Sequence, residues 1–595
     1  MKKIYTTLIT LITLLVSMTV SAQNLVRRIG GIPIDISKPY HITHDTSTNT
    51  VTLSDAQGTV LGLFSELASI STSFAEFPII WNADAALIVN NLIVALDSHP
   101  NTLYRQGLGG ETGIKMWYGN FAGNAFAATA TTNYGASNNI ASGNFHEDAY
   151  SDYTSFPWYY YYNVISNANT VIATVDAGSA ENQKLKAQAL TFRAYAYTML
   201  VQLYGYRWSD SNNGATPGVV LRLDSSSDPM PLSSIADIYN QIYADLDAAI
   251  VLFQSSGWTR GRGATEIGAP NINVAYATYA RAAINKLDYG KAIEMAQKAR
   301  EGYPLMTVDE YNSGFNTPNQ EWIWGSYADD TINQAYYGYH SNLAYDGYAA
   351  KSTTATKVIV KDYYEKIPAT DIRRGLFLDP NAAGVLPDYV SPINGTVYTP
   401  FDPLNGEVLA AISEGTRPNV TIIPRGNDLI DLAHTNFPAL LPSQKIYTYM
   451  QFKVSTDGVP NGAGVGCTNH FRSSEMYLIE AEAQYKSGNE NRAQQLLVEL
   501  TKDSGRDTSF TCTETGSALF DKIKFTAQIE LWGEGFDWFM TKRWGDPIVH
   551  KSFADGGNYL DAVGGFFGPE YANKQTWVIP ALETAYNPLA KGLAQ

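Results

Sequence analysis

Charge is scarce in this chain. Only 16% of its 595 residues are Asp, Glu, Lys or Arg, and 57 acidic residues outnumber 41 basic ones. The resulting formal charge of −16 argues against a nucleic-acid binder, because phosphate contacts need clustered Lys and Arg. Cysteine is scarcer still, with Cys467 and Cys512 alone. Neither has metal-type neighbours at ligand spacing, which excludes a zinc site of the usual kind. The eight histidines are scattered and read as solvated or hydrogen-bonded side chains. Gly-x-Ser-x-Gly, a phosphate loop and His-Glu-x-x-His are all missing, and with them the common signatures of hydrolase, nucleotide and metalloprotease chemistry. Beyond the first 22 residues no run is apolar enough to cross a bilayer. Long like-charge blocks and low-complexity tracts are also missing.

What is present begins at the N-terminus. Lys2 and Lys3 precede an apolar run from Leu8 to Val20, which ends in Val20-Ser21-Ala22. A charged start, a short greasy middle and a small-residue exit make a secretory signal, so residues 1–22 are set apart from the fold and export is expected. In an exported chain Cys467 and Cys512 are a possible disulfide. Closing so long a loop would stabilise by up to about 4 kcal/mol in the chain-entropy view, but no spacing establishes the contact.

The organising stretch runs from Phe156 to Gly205. Leu185, Ala189, Phe192, Ala196, Leu200 and Leu203 fall three or four apart and form one apolar stripe. Thr191, Ala194 and Thr198 make a second, small-residue face, so this helix is expected to bury two sides. Gly205 is placed for a left-handed C-cap. WYYYY at 158–162 reads as packing. Upstream, TNTVTLSD alternates like a strand, and the pattern from Thr59 to Leu96 reads as helical, with Leu63, Leu67 and Ile70, then Ala85, Ile88, Val89 and Leu92. Asp84 is a plausible cap for the latter part. Residues 101–155 show little periodicity and read as long surface loops. Downstream, Ser234 with Asp237 opens a helix in the manner of a capping box, and Ile235, Ile238, Ile242, Leu246, Ala249 and Phe253 form its buried stripe.

NVAYATYARAAINKLDYGKAIEMAQKAREGYP follows the tetratricopeptide pattern, with a turn at Leu287-Asp288-Tyr289 and Ala292, Ala299 and Pro304 at the expected offsets. SSEMYLIEAEAQYKSGNENRAQQLLVEL repeats it, with Ala493 as the small crossing residue. A large irregular, aromatic insertion separates the two. The divisions are therefore 23–311, with the first helices, a loop-rich insertion at 312–465, and 466–595, which completes the scaffold. The last of these includes IELWGEGFDWFMTKRWG, a helix ended by Gly533 and Gly535. The fold class is mainly α: helical pairs carrying an irregular lobe with a few short strands.

Four blocks carry a resemblance. They are WYYYYNVISNANTVI with KAQALTFRAYAYTMLVQLYG, then SSIADIYNQIYADLDAAI, then RSSEMYLIEAEAQYKSGN with IELWGEGFDWFMTKRWG, and the closing WVIPALETAYNP. In this order they resemble the SusD/RagB family of outer-membrane nutrient-binding proteins of Bacteroidetes. The resemblance implies a tetratricopeptide-like scaffold at the cell surface that caps a TonB-dependent transporter barrel of the SusC type. It implies capture of a glycan or, in some members, of peptides, with no catalysis and no cofactor. Family members usually carry a lipidated cysteine just after the signal. Here no cysteine occurs before Cys467, so membrane association is expected through the partner barrel, with a periplasmic or released protein as the other possibility.

Binding residues are sought where flat rings meet planar polar groups, since a sugar offers an apolar face and a hydroxyl rim. Trp324, Tyr327, Tyr336, Tyr337, Tyr339, Tyr345 and Tyr348 lie in loop-like sequence interleaved with Asp329, Asp330, Asn333, Gln334, Asn342 and Asp346. Trp81 and Asn82, in FPIIWNAD, are candidates for a second piece of the same surface. Trp322 shares the strand-like stretch with Trp324 and suits the core equally. A secreted hydrolase remains an alternative in principle, since glycoside cleavage needs two carboxylates across a cleft. Glu480, Glu482, Glu530 and Glu534 are the only suggestive acids, and they lie in scaffold blocks where structural ion pairs are expected. No metal ligand set stands out.

Overall fold

Among the described residues, helices make up most of the regular structure. The computed structural model describes residues 26–29, 32–35, 40–45, 50–55, 60–64, 85–97, 110–127, 140, 147–224, 226, 228–328, 338–347, 357–379, 389–390, 397–398, 449–458, 464–552, 554–559 and 563–591. The signal sequence, Asp84, Leu67 and Ile70 lie outside these residues.

The chain divides into two compact units, 1–82 with 99–105 and 83–98 with 106–595. The first contains antiparallel strands. β1 (Val26–Ile29) pairs with β2 (Ile32–Asp35), and β3 (Tyr40–Asp45), β4 (Thr50–Asp55) and β5 (Val60–Phe64) form a three-stranded sheet in that order. TNTVTLSD is thus a strand, as its alternation indicates. Leu63 is not helical: it stands opposite Thr52 in the ladder. A short apolar run carries no period long enough to tell helix from strand.

The second unit opens with α1 (Ala85–Val94), which buries Ile88, Val89 and Leu92 as expected. Residues 110–121 correct the sequence reading. They form α2 (Gly110–Ile114), which continues as a π-helical turn over Lys115–Phe121, and every residue of both is buried. A π-turn bonds i to i+5, so the 3.6-residue template passes over it.

α3 (Asp152–Thr174) is capped by Ser151, whose hydroxyl accepts from the Tyr153 N–H. Pro157 lies inside this helix. The ladder is repaired beside it from another element. The Tyr204 hydroxyl donates to the Thr154 carbonyl at 2.6 Å and accepts from the Trp158 N–H at 3.0 Å. A hydroxyl inserted at a proline is a recognised way to satisfy a bent helix.

α4 (Ala180–Tyr204) buries every residue from Ala187 to Tyr204, so both of its faces are covered. α3 and α5 (Ile235–Ser256) pack against it. Arg193 of α4 forks onto Asp245 of α5 at 2.8 and 2.6 Å and reaches Asn169 of α3 at 2.8 Å. The capping signal at Ser234 is also real, with Ser234 accepting from the Asp237 N–H.

Gly205 is not left-handed. Its φ of −109° and ψ of 159° are extended. The last carbonyls of α4 are served from far along the chain. Lys542 donates to Gln202 O at 2.6 Å and Gly205 O at 3.0 Å, and the Trp577 N–H reaches Leu203 O at 3.0 Å. Glycine is needed here for space rather than for φ, since a Cβ would come within 2.7 Å of the Val201 carbonyl oxygen.

α6 (Ile272–Asn285) and α7 (Tyr289–Ala299) form the first hairpin. Its turn holds Leu287 at φ 61°, and Asp288 caps the second helix. Ala292, Ala296 and Ala299 are fully buried at the crossing. The insertion follows in sequence, with β7 (Trp322–Ala328) as its longest described strand. After β8 (Gly466–Arg472), α8 (Ser473–Lys486) and α9 (Glu490–Val498) form the second hairpin, and Ala493 is fully buried. α8 packs directly on α7, so the insertion interrupts the sequence and not the stack. β7 and β8 pair antiparallel and bring the two ends of the insertion together. α10 (Gly516–Glu530) is followed by Gly533 and Gly535, both with positive φ, and α11 (Asp537–Trp544) ends on the left-handed Gly545.

The disulfide expectation is corrected. Both thiols are free and buried. Cys467 sits on β8 opposite Tyr327, whereas Cys512 packs with Leu496, Leu497, Leu519 and Ile523. Burial pushes their pKa values up, to about 12 and about 11 respectively.

Candidate ligand-binding site

β7 presents one side chain to solvent. Its residues are buried except Tyr327, which is 37% exposed. Trp324 lies in the core, which removes it from the ligand surface. Its indole N–H donates to Gly268 O at 2.8 Å, and its ring is enclosed by Phe192, Tyr195, His470 and Phe471. Trp322 is likewise fully buried.

The segment 338–347 is buried as well and corrects two further expectations. Tyr339 is 6% exposed and donates its hydroxyl proton to Gly533 O at 2.8 Å. Tyr345 packs on Phe452, and its N–H bonds Val454 O. Asp346 accepts from the Thr456 N–H and hydroxyl, both at 2.8 Å. These side chains hold the lobe together rather than face outward. Rings in such a stretch look alike in sequence whether they pack or bind, because both roles ask for an apolar plate with a polar edge. Trp81, Asn82, Tyr336, Tyr337 and Tyr348 lie outside the described residues.

Beneath these segments is a cluster of buried charges. Arg472, at the end of β8, bonds Glu321, Glu530 and Glu534 at 2.8 Å each. Arg506 lies 3.3 Å from Glu321, Arg373 reaches Glu530 at 3.0 Å and Asp371 at 2.7 Å, and Lys453 reaches Glu534. Burial alone would raise the pKa of Glu530, but Arg506, Arg472 and Arg373 outweigh it and hold this carboxyl far below its usual range. Lys453 moves the other way. Burial lowers it to about 8, although Glu534 opposes the shift. Sequence alone marks none of Glu321, Arg373, Lys453 and Arg506, since no local period links residues so far apart.

Glu480 and Glu482 are structural too. Glu480 pairs with Arg300 and accepts from Gln297, and Glu482 accepts from Arg543 and Trp544. All four scaffold carboxylates are thus buried and engaged by cations, as the sequence reading expects. Among the described residues, no three His, Cys, Asp or Glu are grouped to hold a metal ion.

Two depressions can be set against a ligand of sugar size. An internal cavity of about 40 Å³ lies among Glu111, Lys115, Arg281, Glu475 and the helices around them. It has room for a few waters but is far below the roughly 300 Å³ of the smallest usual ligand pocket. Tyr161 and Tyr195 donate to Glu111 there at 2.7 Å, and Arg281 forks onto Glu475. The second is an open hollow of about 520 Å³ at the end of α7, lined by Lys298, Arg300, Tyr303 and Tyr477. Guanidinium groups lie over both of its rings, Arg300 on Tyr477 and Arg262 on Tyr303. No described helix is long and apolar enough to cross a membrane.

Comparison with known proteins accounts for this arrangement. Residues 103–282 match a SusD-like family model described as starch-binding and associating with the outer membrane. Residues 440–588 match the SusD family model. A SusD-like carbohydrate binding protein from Bacteroides vulgatus superposes with a TM-score of 0.63 at 18% identity, over 86% of this chain and 98% of its own. A SusD superfamily protein from Bacteroides thetaiotaomicron gives 0.62 at 19%, over 86% and 99%. At such identities the likeness is one of fold. No curated protein matches the chain in sequence. The two matched blocks meet across the insertion, where α6 packs on α8 and Lys542 bonds the end of α4. By both blocks and by its fold, this chain belongs to the SusD/RagB family.

Proposed function

We propose that this protein is a non-catalytic nutrient-binding subunit at the outer face of the outer membrane. It captures an oligosaccharide and delivers it to a TonB-dependent barrel of the SusC type. The observation that carries this reading is the match over residues 103–282 to a family described as starch-binding and associating with the outer membrane. The N-terminal signal pattern agrees with export. The burial of Glu480, Glu482, Glu530 and Glu534 in ion pairs favours binding over hydrolysis, since none of them is free to meet a glycosidic oxygen. Tyr327 is the described ring we assign to the ligand surface, with Tyr336, Tyr337 and Tyr348 assigned to it from the sequence; Trp81 and Asn82 stay candidates from the sequence alone.

Intrinsic tryptophan fluorescence tests this directly. Titration of the purified protein with maltoheptaose, xylohexaose and mixed tetrapeptides should give a saturable response to an oligosaccharide, with no reducing sugar released. A response to peptides alone would assign the protein to the peptide-binding members of the family. Appearance of reducing ends would make it an enzyme and overturn the reading.

A further inference from the structure

The charges of the cluster around Arg472 fall into two sets of four. Glu321, Asp371, Arg373 and Lys453 come from the insertion; Arg472, Arg506, Glu530 and Glu534 come from the scaffold that follows it. All eight are at most 5% exposed. Each set sums to zero charge. Four ion pairs cross the boundary: Glu321 with Arg472 and with Arg506, Arg373 with Glu530, and Lys453 with Glu534. Replacing buried ion pairs by well-packed apolar residues is often neutral or stabilising, so a cluster of this kind is weak evidence of stability for its own sake. What it provides is a single permitted seating, because any slip leaves a desolvated charge without its partner.

The members sit at particular places. Glu321 immediately precedes β7, and Arg472 closes β8, the strand paired with it. Lys453 lies in the stretch 449–456, whose Nζ also donates to Glu530 O and Trp532 O. That stretch in turn carries 338–347, through Gln451 to Leu343 O, Tyr345 N–H to Val454 O and Thr456 to Asp346. So β7, which ends at Ala328, and the segment that begins at Gly338 are each fastened to the same cluster by a separate route. We infer that this cluster is the positioning device of the ligand lobe, fixing β7, which presents Tyr327, and the segment 338–347 relative to each other. Lys453, Glu321 and Arg472 are its positioning residues. They touch no ligand. The link to binding rests on the oligosaccharide reading above, while the positioning itself does not.

Amide hydrogen exchange on the full-length protein separates the two. In Lys453→Met, amides of 322–328, 338–347 and 449–456 should exchange about tenfold faster or more, while the α6–α7 hairpin keeps its protection. Lys542→Met removes a buried lysine outside the cluster, and its increase should fall on the end of α4 and leave β7 unchanged. Equal acceleration in β7 and in α6–α7, or none in β7, would overturn the inference. If Lys453→Met does not fold, exchange of the wild-type protein in graded urea decides. The three segments should open together below the urea concentration that opens α6–α7, and opening in one step with that hairpin would overturn it. Neither outcome depends on which ligand is bound.

Discussion

Two side chains act as backbone repairs, and each can be tested alone. Tyr204 bridges Thr154 O and the Trp158 N–H beside Pro157. Tyr204→Phe keeps the ring and removes the acceptor of the buried Trp158 N–H, which should cost about 1–3 kcal/mol in urea denaturation. A loss below the error of the measurement would mean that water takes the place of the hydroxyl. Lys542 is the donor at the end of α4, and burial lowers its pKa to about 7. An unfolded lysine titrates near 10.4, so between about pH 7 and 10 the unfolded chain binds more protons than the native one. Stability contributed by this site therefore rises with pH across that window, the reverse of a surface lysine paired with an acid. Lys115, Lys357 and Lys453 are lowered as well and push in the same direction. The comparison with Lys542→Met isolates the one group. The advantage of wild type over this variant should grow by about 1 kcal/mol or more from pH 7 to 9.5. Parallel stability curves would show that Lys542 keeps its ordinary pKa.

Elements were readable wherever their signals are local. Ser234 and the stripe of α5, the alanines of both hairpins and the glycines after α10 lie within a few residues of what they determine. The crossing of α6 and α7 makes this measurable. Ala292 is fully buried, and a tryptophan there has to displace a neighbouring helix, so Ala292→Trp should cost about 3 kcal/mol or more. Val251 on α5 is 59% exposed, and Val251→Lys should stay within about 0.5 kcal/mol. Comparable losses for the two would argue that hairpin packing does not limit stability. Signals that span elements were not readable. The π-turn at Lys115–Phe121 breaks the helical period, and the end of α4 looked like a glycine cap because its true donor lies more than three hundred residues away. The site was the least legible part. Trp324, Tyr339 and Tyr345 meet every compositional test for a sugar platform, yet their neighbours in space enclose them. Tyr327 alone among the described candidates meets solvent.

At the scale of the molecule, the second compact unit is closed by its own C-terminal part. Beyond Gly535, Lys542 and the Trp577 N–H serve the end of α4, and Asp537 accepts from the Asn124 and Ala125 N–H groups. Glu583 accepts from the Trp158 indole at 3.2 Å, and the Asn587 side chain pairs with both backbone groups of Met230. Every one of these partners lies in the first half of the chain. A protein ending at Gly535 would keep both hairpins and the charge cluster, yet it would leave the carbonyls of α4 unserved in an apolar setting. Each such group costs about 1–3 kcal/mol, and a domain has only about 5–15 kcal/mol to lose. The truncated chain should therefore lose its cooperative thermal transition and become sensitive to protease in α3 and α4, far from the cut. Had the family blocks been independent domains, cleavage would stay near the new end and the melting transition would persist with lower amplitude. The pattern of fragments in limited proteolysis distinguishes these outcomes, because only an interleaved stack transmits the loss of a C-terminal segment to helices near the N-terminus.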